Sequence, residues 1–303
     1  MVRIASERDA IVADTEAYIA IDWGTTNRRV YLVDRHGAVV DTMSDDRGIL
    51  SLTPADYPAE LAAIRARFGD RHVIAAGMVG SNRGWHDVAY VDAPASLTSL
   101  ASHAREVADA TYIVPGIALR SGTRADVMRG EEVQVLGAIA ARIAPADGLF
   151  CQPGTHNKWI VAAGGNIVDF ATAMTGEIFS LVKAHGILAG MLDGDVADGP
   201  AFRDGVRRGL GARDLGVALF EVRAAVLLDI RPAAEAAAFA SGILIGADVG
   251  ARDDLDGRPV HLLASGALAG LYATAIVMAG GDPITLDSHA AFVAGIHAIR
   301  KNL

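Results

Sequence analysis

Cysteine and positive charge are both scarce in this chain of 303 residues. Cys151 is the single cysteine, so no intrachain disulfide can form, no zinc site can rest on thiolates, and a cytoplasmic location is expected. Acidic residues outnumber basic ones by 36 to 27, which gives a formal net charge of −9 at pH 7. The chain therefore lacks the basic footprint of a protein that binds nucleic acid generally. An anionic ligand must be bound by a few locally placed cations.

A long hydrophobic segment flanked by basic residues is also missing. Residues 262–281 carry no charge over about the length of a membrane span, but Gly, Ala, Ser and Thr dilute the run. We interpret them as a glycine-rich turn followed by a buried helix, and we expect no membrane association. Residues 1–16 lack the apolar core of a signal peptide and are predicted to form a loose leader. Neither a Walker-type phosphate loop nor a complete dinucleotide-binding motif occurs.

A strand–loop–strand pattern occurs twice in the sequence. Residues 18–42 read as three short antiparallel strands joined by a Gly-Thr loop and a glycine turn, and residues 149–170 repeat that order. The loop residues of the first copy align with those of the second, namely Gly24, Thr25, Thr26 and Asn27 with Gly154, Thr155, His156 and Asn157. The repeat predicts a structural duplication: an α/β protein with two related lobes facing each other across a cleft.

Helical and apolar-strand patterns fill the rest of the chain. Apolar spacing predicts short strands at 72–76 and 111–114, and helices over 56–68, 95–109, 131–143, 170–192 and 213–229. The repeat divides the chain into an N-terminal lobe, residues 17–125, and a C-terminal nucleotide-binding lobe, residues 126–285. Residues 286–303 are expected to form a last helix that packs back on the N-terminal lobe.

The paired Gly-Thr loops suit the binding of a polyphosphate. Glycine lets the backbone approach a ligand closely, successive N–H groups form an anion-binding concavity, and threonine hydroxyls add donors. Asp22 precedes Gly24 by two residues, at the end of the first strand, where its carboxylate could hold Mg²⁺ directly or through water. Two ordinary hairpins are the alternative, but unrelated hairpins have no reason to share Gly-Thr-x-Asn followed by a basic residue. The loops therefore predict a polyphosphate site with magnesium.

Six segments together resemble one family of sugar-acid kinases. In chain order they are IDWGTTNRRVYLVD, AAGMVGSNRGWHDVAYVDAPA, RADVMRGEEVQVLGA, QPGTHNKWIV, ATAMTGEIFSLV and ASGILIGAD. They resemble the 2-dehydro-3-deoxygalactonokinases, which phosphorylate the 6-hydroxyl of a keto-deoxy sugar acid with ATP. The resemblance implies a two-lobed fold of the ribonuclease H-like (actin-like ATPase) type. It also implies phosphate loops at 22–29 and 153–159, and an adenosine-binding segment that includes Ser265 and Gly266.

The resemblance further implies roles for individual residues. Asp126 is expected to accept the proton of the attacking hydroxyl, because related kinases carry an aspartate just before a helix; a helix N-cap is its alternative role. Glu131 or Glu132, at the start of that helix, is expected to bind Mg²⁺ or a sugar hydroxyl, or only to favour the helix dipole. Lys158 is expected to bind an ATP phosphate. His156 either donates to a phosphate or substrate oxygen or remains a solvated loop residue.

The substrate implied by the family carries a carboxylate, a ketone and several hydroxyls, so its site needs a cation and polar side chains. Ser81 and Asn82 are expected to bond hydroxyls or the ketone, and Arg83 is expected to pair with the carboxylate. Trp85 forms either a wall of the site or a core anchor. Two further cations lie near the proposed loops, Arg28 and Arg129.

Two other functions remain open at the level of the sequence. A kinase for a related sugar acid, such as 2-keto-3-deoxygluconate, differs in the configuration of one hydroxyl, which residue patterns do not resolve. A nucleotide-dependent sensor or assembly protein on the same fold would not need Asp126 and the Ser81–Trp85 loop. The expected partners are thus a small sugar acid and ATP with Mg²⁺, and a homo-oligomer is left open.

Overall fold

The computed structural model describes residues 16–122, 124–252 and 255–303. The predicted leader at 1–16 therefore lies, except for its last residue, outside the described residues. The described chain forms two compact units. Unit 1 contains the residues up to Asp147 together with Ala162–Asp169 and Ser288–Leu303, and unit 2 contains Gly148–Val161 and Phe170–Asp287.

Unit 1 is built on a six-stranded sheet whose strands lie in the order β3-β2-β1-β4-β7-β6. The strands are β1 (Tyr18–Trp23), β2 (Arg28–Val33), β3 (Val39–Asp45), β4 (Val73–Ala76), β6 (Arg105–Ala108) and β7 (Thr111–Ile113). Strands β1, β2 and β3 form an antiparallel meander, whereas β4 runs parallel to both β1 and β7. Alternate side chains of β1, including Ile19 and Ile21, enter a core closed by helix α1 (Tyr57–Phe68).

A small second sheet and three more helices complete unit 1. The sheet has the order β5-β8-β9, with strands β5 (Val91–Asp92), β8 (Ile117–Ser121) and β9 (Arg124–Met128). The helices are α2 (Leu97–Ser102), α3 (Glu131–Ala140) and α9 (Ser288–Arg300). Helices α3 and α9 approach so closely that a Cβ at Gly137 would lie 2.5 Å from the main-chain nitrogen of Gly295. This packing and the β8–β9 pairing keep residues 126–147 in unit 1, so the units divide later than the 125/126 boundary expected from the repeat.

Unit 2 is built on a five-stranded sheet in the order β12-β11-β10-β13-β14. The strands are β10 (Gly148–Gln152), β11 (Asn157–Ala163), β12 (Asn166–Ala173), β13 (Pro259–Leu263) and β14 (Asp282–Leu286). The helices are α4 (Thr175–His185), α5 (Pro200–Leu210), α6 (Leu215–Leu227), α7 (Ala236–Gly250) and α8 (Gly266–Met278). This strand order repeats the β3-β2-β1-β4-β7 part of the first sheet, with β13 parallel to both β10 and β14.

Two of the predicted helices are wrong over part of their length. In the range 95–109 the only helix is α2, which begins at a Ser96–Ser99 capping box. The last residues of the range form strand β6 instead. The range 170–192 begins as the end of β12, and α4 starts only at Thr175. In both places a strand paired to a neighbouring strand interrupts the helical apolar spacing, and such pairing is invisible to local periodicity.

The uncharged residues 262–281 contain the end of β13 and helix α8, in agreement with the predicted turn and helix, but the helix is buried on one side only. One other segment, Ala233–Gly250, is long and apolar enough to cross a membrane by length and composition alone. Within this segment 67% of the residues are buried inside the protein, and helix α7 packs against α5 and α6. The core of unit 2 accounts for its apolar character.

Candidate functional site

The first Gly-Thr loop joins β1 to β2 in unit 1. The N–H of Gly24 donates to the carbonyl oxygen of Asn27 at 2.9 Å, which closes the turn. The segment at Gly48 packs against this loop and stabilises it, because the Gly48 N–H donates to the Thr26 carbonyl oxygen at 3.2 Å. Within the described residues the N–H groups of Thr25 and Thr26 have no hydrogen-bond partner, and both residues are exposed. The loop therefore presents free donors to an anion.

Asp22 lies at the end of β1, directly before this loop. Its carboxylate is 3.7 Å from the guanidinium of Arg29, its partner in the β1–β2 ladder. Burial raises the pKa of Asp22 to about 6; Arg29 lowers it and the nearby Glu131 carboxylate raises it. A carboxylate beside free N–H donors suits a divalent cation that also binds phosphate oxygens. Among the described residues no group of three or more His, Cys, Asp or Glu side chains could hold a metal ion.

A glycine turn brings Glu131 to this position. Gly130 adopts φ +112°, a conformation that favours glycine, and a Cβ there would lie 3.1 Å from the Cα of Gly77. Helix α3 begins at the next residue. The Glu131 carboxylate accepts from the Arg129 N–H at 3.0 Å, and both carboxylate oxygens of Glu132 accept from the Gly130 N–H. Glu132 is fully buried, and burial raises its pKa to about 8.

Asp126 does not lie just ahead of helix α3, contrary to the expectation from the resemblance. It is in the middle of β9, opposite Leu119 of β8, and its Oδ1 accepts from the Val127 N–H at 2.7 Å. The N-cap of α3 is Gly130, so the capping role suggested for Asp126 is wrong. The strand continues for two residues past Asp126 because it pairs with β8.

The Ser81–Trp85 segment follows β4 and divides into exposed and buried residues. Asn82 and Arg83 are exposed. Ser81 is buried, and its hydroxyl donates to the Met78 carbonyl oxygen at 2.7 Å. The Trp85 ring stacks on Tyr57 with centroids 5.4 Å apart and packs on the unit 1 core. Of the two roles weighed for Trp85, the structure favours the core anchor.

Arg28 and Arg129, the two further cations considered from the sequence, have structural contacts. Arg28 is buried and forms ion pairs with Asp45 at 2.7 Å and Glu60 at 2.9 Å, so it is not a cation of the first loop. Arg129 is also buried, and its Nη2 donates to the Val88 carbonyl oxygen at 2.7 Å. Its guanidinium stacks over the Tyr90 ring at 4.3 Å. The positive charge of Arg129 lowers the pKa of Glu132 and opposes part of the effect of burial.

The second Gly-Thr loop joins β10 to β11 in unit 2. Gly176, in the first turn of α4, lies against it so closely that a Cβ there would be 2.7 Å from the Gly154 carbonyl oxygen. The Glu177 N–H donates to the Thr155 carbonyl oxygen at 3.0 Å, and the Glu177 carboxylate is 2.8 Å from His156 Nε2. Lys158 is buried on β11, with Nζ 3.4 Å from the His156 carbonyl oxygen, and is not an exposed loop cation.

A buried aspartate connects this loop to three other elements of unit 2. Asp248 of helix α7 accepts four hydrogen bonds, and its neighbours are all donors. Its Oδ2 accepts from Asn157 Nδ2 at 2.8 Å, Thr175 Oγ1 at 2.9 Å and Tyr272 Oη at 2.8 Å. Its Oδ1 accepts from Trp159 Nε1 at 2.9 Å. This network fixes the base of the second loop against α4, α7 and α8.

A cavity of about 100 Å³ opens beside the second loop. Its wall is mostly apolar, with main-chain groups of the loop and of α4 at one end. The lining residues are Gly154, Thr175, Gly176, Phe179, Ser241, Leu244, Ile245, Leu268 and Tyr272. Ser265 is the N-cap residue of α8 and Gly266 is its first residue; both are exposed. A mostly apolar wall next to a Gly-Thr loop suits a ligand with both a ring and an anionic group.

Several of these residues were not found from the sequence. Asp248 had a signal, because it is the one acidic residue in the apolar helix AAAFASGILIGADVG. Gly48 and Gly176 had none, since their role depends on segments that approach them from elsewhere in the chain. Cys151, as expected of a small buried residue, is fully buried, and burial raises the pKa of its thiol.

Comparison with known proteins assigns the chain to a family. The family model for 2-keto-3-deoxy-galactonokinase matches residues 22–299. The chain belongs to this family. Over 289 residues it is 36% identical to the 2-dehydro-3-deoxygalactonokinase of Escherichia coli (strain K12), covering 94% of this chain and 98% of that protein. The resemblance inferred from the six sequence segments is thereby confirmed. As a member of this family, the chain is a carbohydrate kinase that acts on a sugar and ATP.

Solved structures agree with the family and the fold. A crystal structure of a candidate 2-dehydro-3-deoxygalactonokinase from Sinorhizobium meliloti matches with a TM-score of 0.84 and 35% identity, over 94% of this chain and 98% of that one. Component A of (R)-2-hydroxyglutaryl-CoA dehydratase from Acidaminococcus fermentans matches with a TM-score of 0.52 and 14% identity, over 94% and 98% of the two chains. The predicted fold class, α/β with two related units of the actin-like ATPase type, is confirmed for this 2-keto-3-deoxy-galactonokinase family member.

Proposed function

We propose that this chain transfers the γ-phosphoryl group of ATP to the 6-hydroxyl of 2-dehydro-3-deoxy-D-galactonate. The products are 2-dehydro-3-deoxy-6-phosphogalactonate and ADP. The observation that carries the proposal is the position of Asp22: its carboxylate lies at the end of β1, directly before the free donors of the first Gly-Thr loop, and the Glu131 carboxylate is near enough to raise its pKa. Phosphoryl transfer needs little more than donors for phosphate, a magnesium ligand and a proton acceptor. A cytoplasmic location belongs to the same proposal, because Cys151 is the only cysteine.

Each Gly-Thr loop is a phosphate-binding element of its own unit in this proposal. Thr25 and Thr26 donate main-chain N–H groups to phosphate oxygens in unit 1, and Thr155 does so in unit 2. The cavity beside Gly154 and the exposed start of α8 at Ser265 and Gly266 receive the adenosine part of ATP. Asn27 donates from Nδ2 to Thr26 Oγ1 at 3.1 Å and orients that hydroxyl.

Magnesium fits the donor set at Asp22. The carboxylate is ionised above about pH 6, and a hard oxygen ligand at the edge of a phosphate loop is what Mg²⁺ prefers. When bound there, the ion would neutralise negative charge on the phosphate oxygens. Asp22 would hold it, and Arg29 at 3.7 Å keeps the carboxylate ionised and oriented.

We assign the proton acceptor to Glu131 and keep Asp126 as the competing residue. The Glu131 carboxylate is near enough to Asp22 to raise its pKa, whereas Asp126 lies in the middle of a strand that pairs with β8. The 6-hydroxyl must be close to the phosphate that Asp22 helps to bind, so the base must also be close to Asp22. Arg83 and Asn82 are exposed on their loop and are proposed to bind the substrate carboxylate and a hydroxyl.

A coupled ATP-turnover assay with Mg²⁺ tests the proposal. We expect turnover with 2-dehydro-3-deoxygalactonate, less with its gluconate epimer and none with common hexoses, and ³¹P–¹H correlation spectra should assign the new phosphate to C6. Preference for the gluconate epimer would change the substrate and keep the mechanism. ATP hydrolysis without any sugar acid would contradict the kinase and favour a nucleotide-dependent sensor.

The base is tested with two isosteric variants. Glu131→Gln should lower kcat by about 10²–10⁴-fold with little change in the affinity for ATP. Asp126→Asn should keep kcat within a few-fold of the parent. The reverse result would assign the role of proton acceptor to Asp126. Equal, small losses of kcat in both variants would exclude both carboxylates as the base.

A further inference from the structure

Helix α6 (Leu215–Leu227) of unit 2 is apolar on two sides. On one side, Ala218 and Val222 are fully buried and pack in a cluster with residues of α7. On the other side, Val217, Phe220 and Leu227 follow helical spacing of three and seven residues and are more than half exposed. A helix that is apolar all round is normally covered all round. Within the described chain, only one side of α6 is covered.

The exposed apolar surface continues past the end of the helix. Leu228 and Ile230 follow α6, and together with its three exposed residues they form a set that we call the α6 stripe; its members are 53 to 75% exposed. Ile187 borders the stripe, because Arg223 Nη1 of α6 donates to the Ile187 carbonyl oxygen at 3.3 Å, and the Ile187 side chain is also exposed. Large exposed apolar patches of this kind mark interaction sites.

The area of the stripe is enough for a dimer contact. Five such side chains offer on the order of 400 Å² of apolar surface per copy at the exposure given above. An interface of standard size buries about 800 Å² on each partner, of which roughly 60% is apolar. The stripe and its polar rim therefore match one half of a stable two-fold interface.

The charges at the two ends of the stripe are complementary under a two-fold axis. Arg213 precedes α6 and Asp229 follows it, each eight residues from position 221. Neither side chain forms an ion pair with another residue in the part of the chain that the structure describes. Antiparallel packing of two α6 helices would bring Arg213 of one copy to Asp229 of the other, and the reverse contact follows by symmetry.

The negative charge that would lie at the centre of such a contact, on Glu221, is already paired with an arginine of the same chain. Glu221 lies close to the axis and would face its own copy. In each chain, however, Arg208 donates to both of its carboxylate oxygens at 2.7 Å. The stripe lacks the run of basic residues that brings an amphipathic helix to anionic lipid, which argues against a membrane surface as its partner.

We propose that the α6 stripe is the interface of a homodimer, in which two copies of this chain pack antiparallel through α6. The two Phe220 rings lie near the axis, and Arg213–Asp229 pairs close both ends. The dimer does not depend on the proposed reaction, since no residue of the stripe belongs to the candidate site.

Sedimentation velocity of the full chain at micromolar concentration tests the dimer, which should have twice the monomer mass of 31.5 kDa. Phe220→Glu should give a monomer with unchanged thermal unfolding, because the side chain it replaces is exposed. Leu50→Glu is the matched control: Leu50 is an exposed apolar residue of unit 1, and this variant should remain dimeric. A monomeric parent, a monomer that binds lipid vesicles, or a dimer that survives Phe220→Glu would each overturn the proposal.

A charge exchange tests the antiparallel geometry. Arg213→Asp and Asp229→Arg should each weaken the dimer by about tenfold or more, since each places like charges opposite one another. The double variant restores opposite charges and should return the dissociation constant to within about threefold of the parent. A double variant weaker than either single one would overturn the antiparallel arrangement.

Discussion

Asn157 donates a 2.8 Å hydrogen bond from Nδ2 to Oδ2 of Asp248, across 91 positions of sequence. Asn157 closes the second Gly-Thr loop and Asp248 lies near the end of helix α7. The bond therefore ties a proposed phosphate-binding loop to the interior of unit 2. Because three further donors meet the same carboxylate, Asp248 also joins the base of the loop to Thr175, Trp159 and Tyr272.

Asp248→Asn should weaken both the fold and the binding of ATP. An amide offers one acceptor oxygen and points an NH₂ group at donors, so at least one buried donor is left unpaired. We expect a loss of about 2–4 kcal/mol in the free energy of unfolding. The KM for ATP should also rise while the KM for the sugar acid stays close to that of the parent. Chemical denaturation and steady-state kinetics measure the two effects.

Asp193→Asn serves as the control for this variant, because Asp193 is exposed and lies 3.9 Å from Lys183. Its stability and kinetics should match the parent within about 0.5 kcal/mol and twofold. If Asp248→Asn also behaved like the parent, the network would have no positioning role.

Gly176→Ala should displace the second loop. The new Cβ would meet the Gly154 carbonyl oxygen at 2.7 Å, and a backbone atom cannot move aside as a flexible side chain does. We expect a loss of about 1–3 kcal/mol in stability and a KM for ATP raised by about tenfold. In Gly211→Ala the added Cβ lies 3.9 Å from the nearest atom, so this control should change neither value. An unchanged KM for ATP in Gly176→Ala would show that the loop does not bind the nucleotide.

The pH dependence of kcat/KM should report the ionisation of Asp22. Burial raises the pKa of this carboxyl to about 6, so activity that requires the carboxylate should rise through about pH 6. Arg29 lowers the pKa of Asp22, so Arg29→Met should raise that pKa and move the rising limb to higher pH. Arg35→Met, at an exposed turn residue, is the control. A limb that stays in place in Arg29→Met would assign it to another group.

Glu132→Gln should remove a pH-dependent part of the stability. The folded pKa of about 8 exceeds the ordinary value of 4.5, so the folded state holds a proton that the unfolded state releases between these values. The stability of the parent therefore falls as pH rises from about 4.5 to 8. The glutamine variant stays neutral and should gain on the order of 3 kcal/mol over the parent between pH 5 and pH 8.5.

Urea denaturation at the two pH values measures this gain. Glu106→Gln replaces an exposed carboxylate of unit 1 and should follow the pH dependence of the parent. A Glu132→Gln variant whose advantage over the parent is the same at both pH values would show that Glu132 is already charged near pH 5.

Local patterns predicted the elements whose residues interact with close neighbours in the chain. The two meanders, at β1–β3 and β10–β12, were found because alternation and glycine turns need only a few consecutive residues. The same approach failed at residues 105–108, where pairing with β7 outweighs helical spacing, and at Asp126, where pairing with β8 extends β9 past the expected helix start. Pairing with a strand that is distant in sequence leaves no periodic pattern of apolar residues in the local sequence.

The sequence by itself determined the repeated loops, the lack of disulfides and the family to which the chain belongs. All of these are written in residue types at short, fixed spacings. Only the tertiary structure decided that the charge of Glu131 acts on Asp22, that Arg28 and Trp85 serve the core, and that Asp248 holds the second loop. The physical reason is that buried charges and rings are satisfied by whichever groups the packed chain brings within a few ångströms, and those groups lie tens of residues away in sequence.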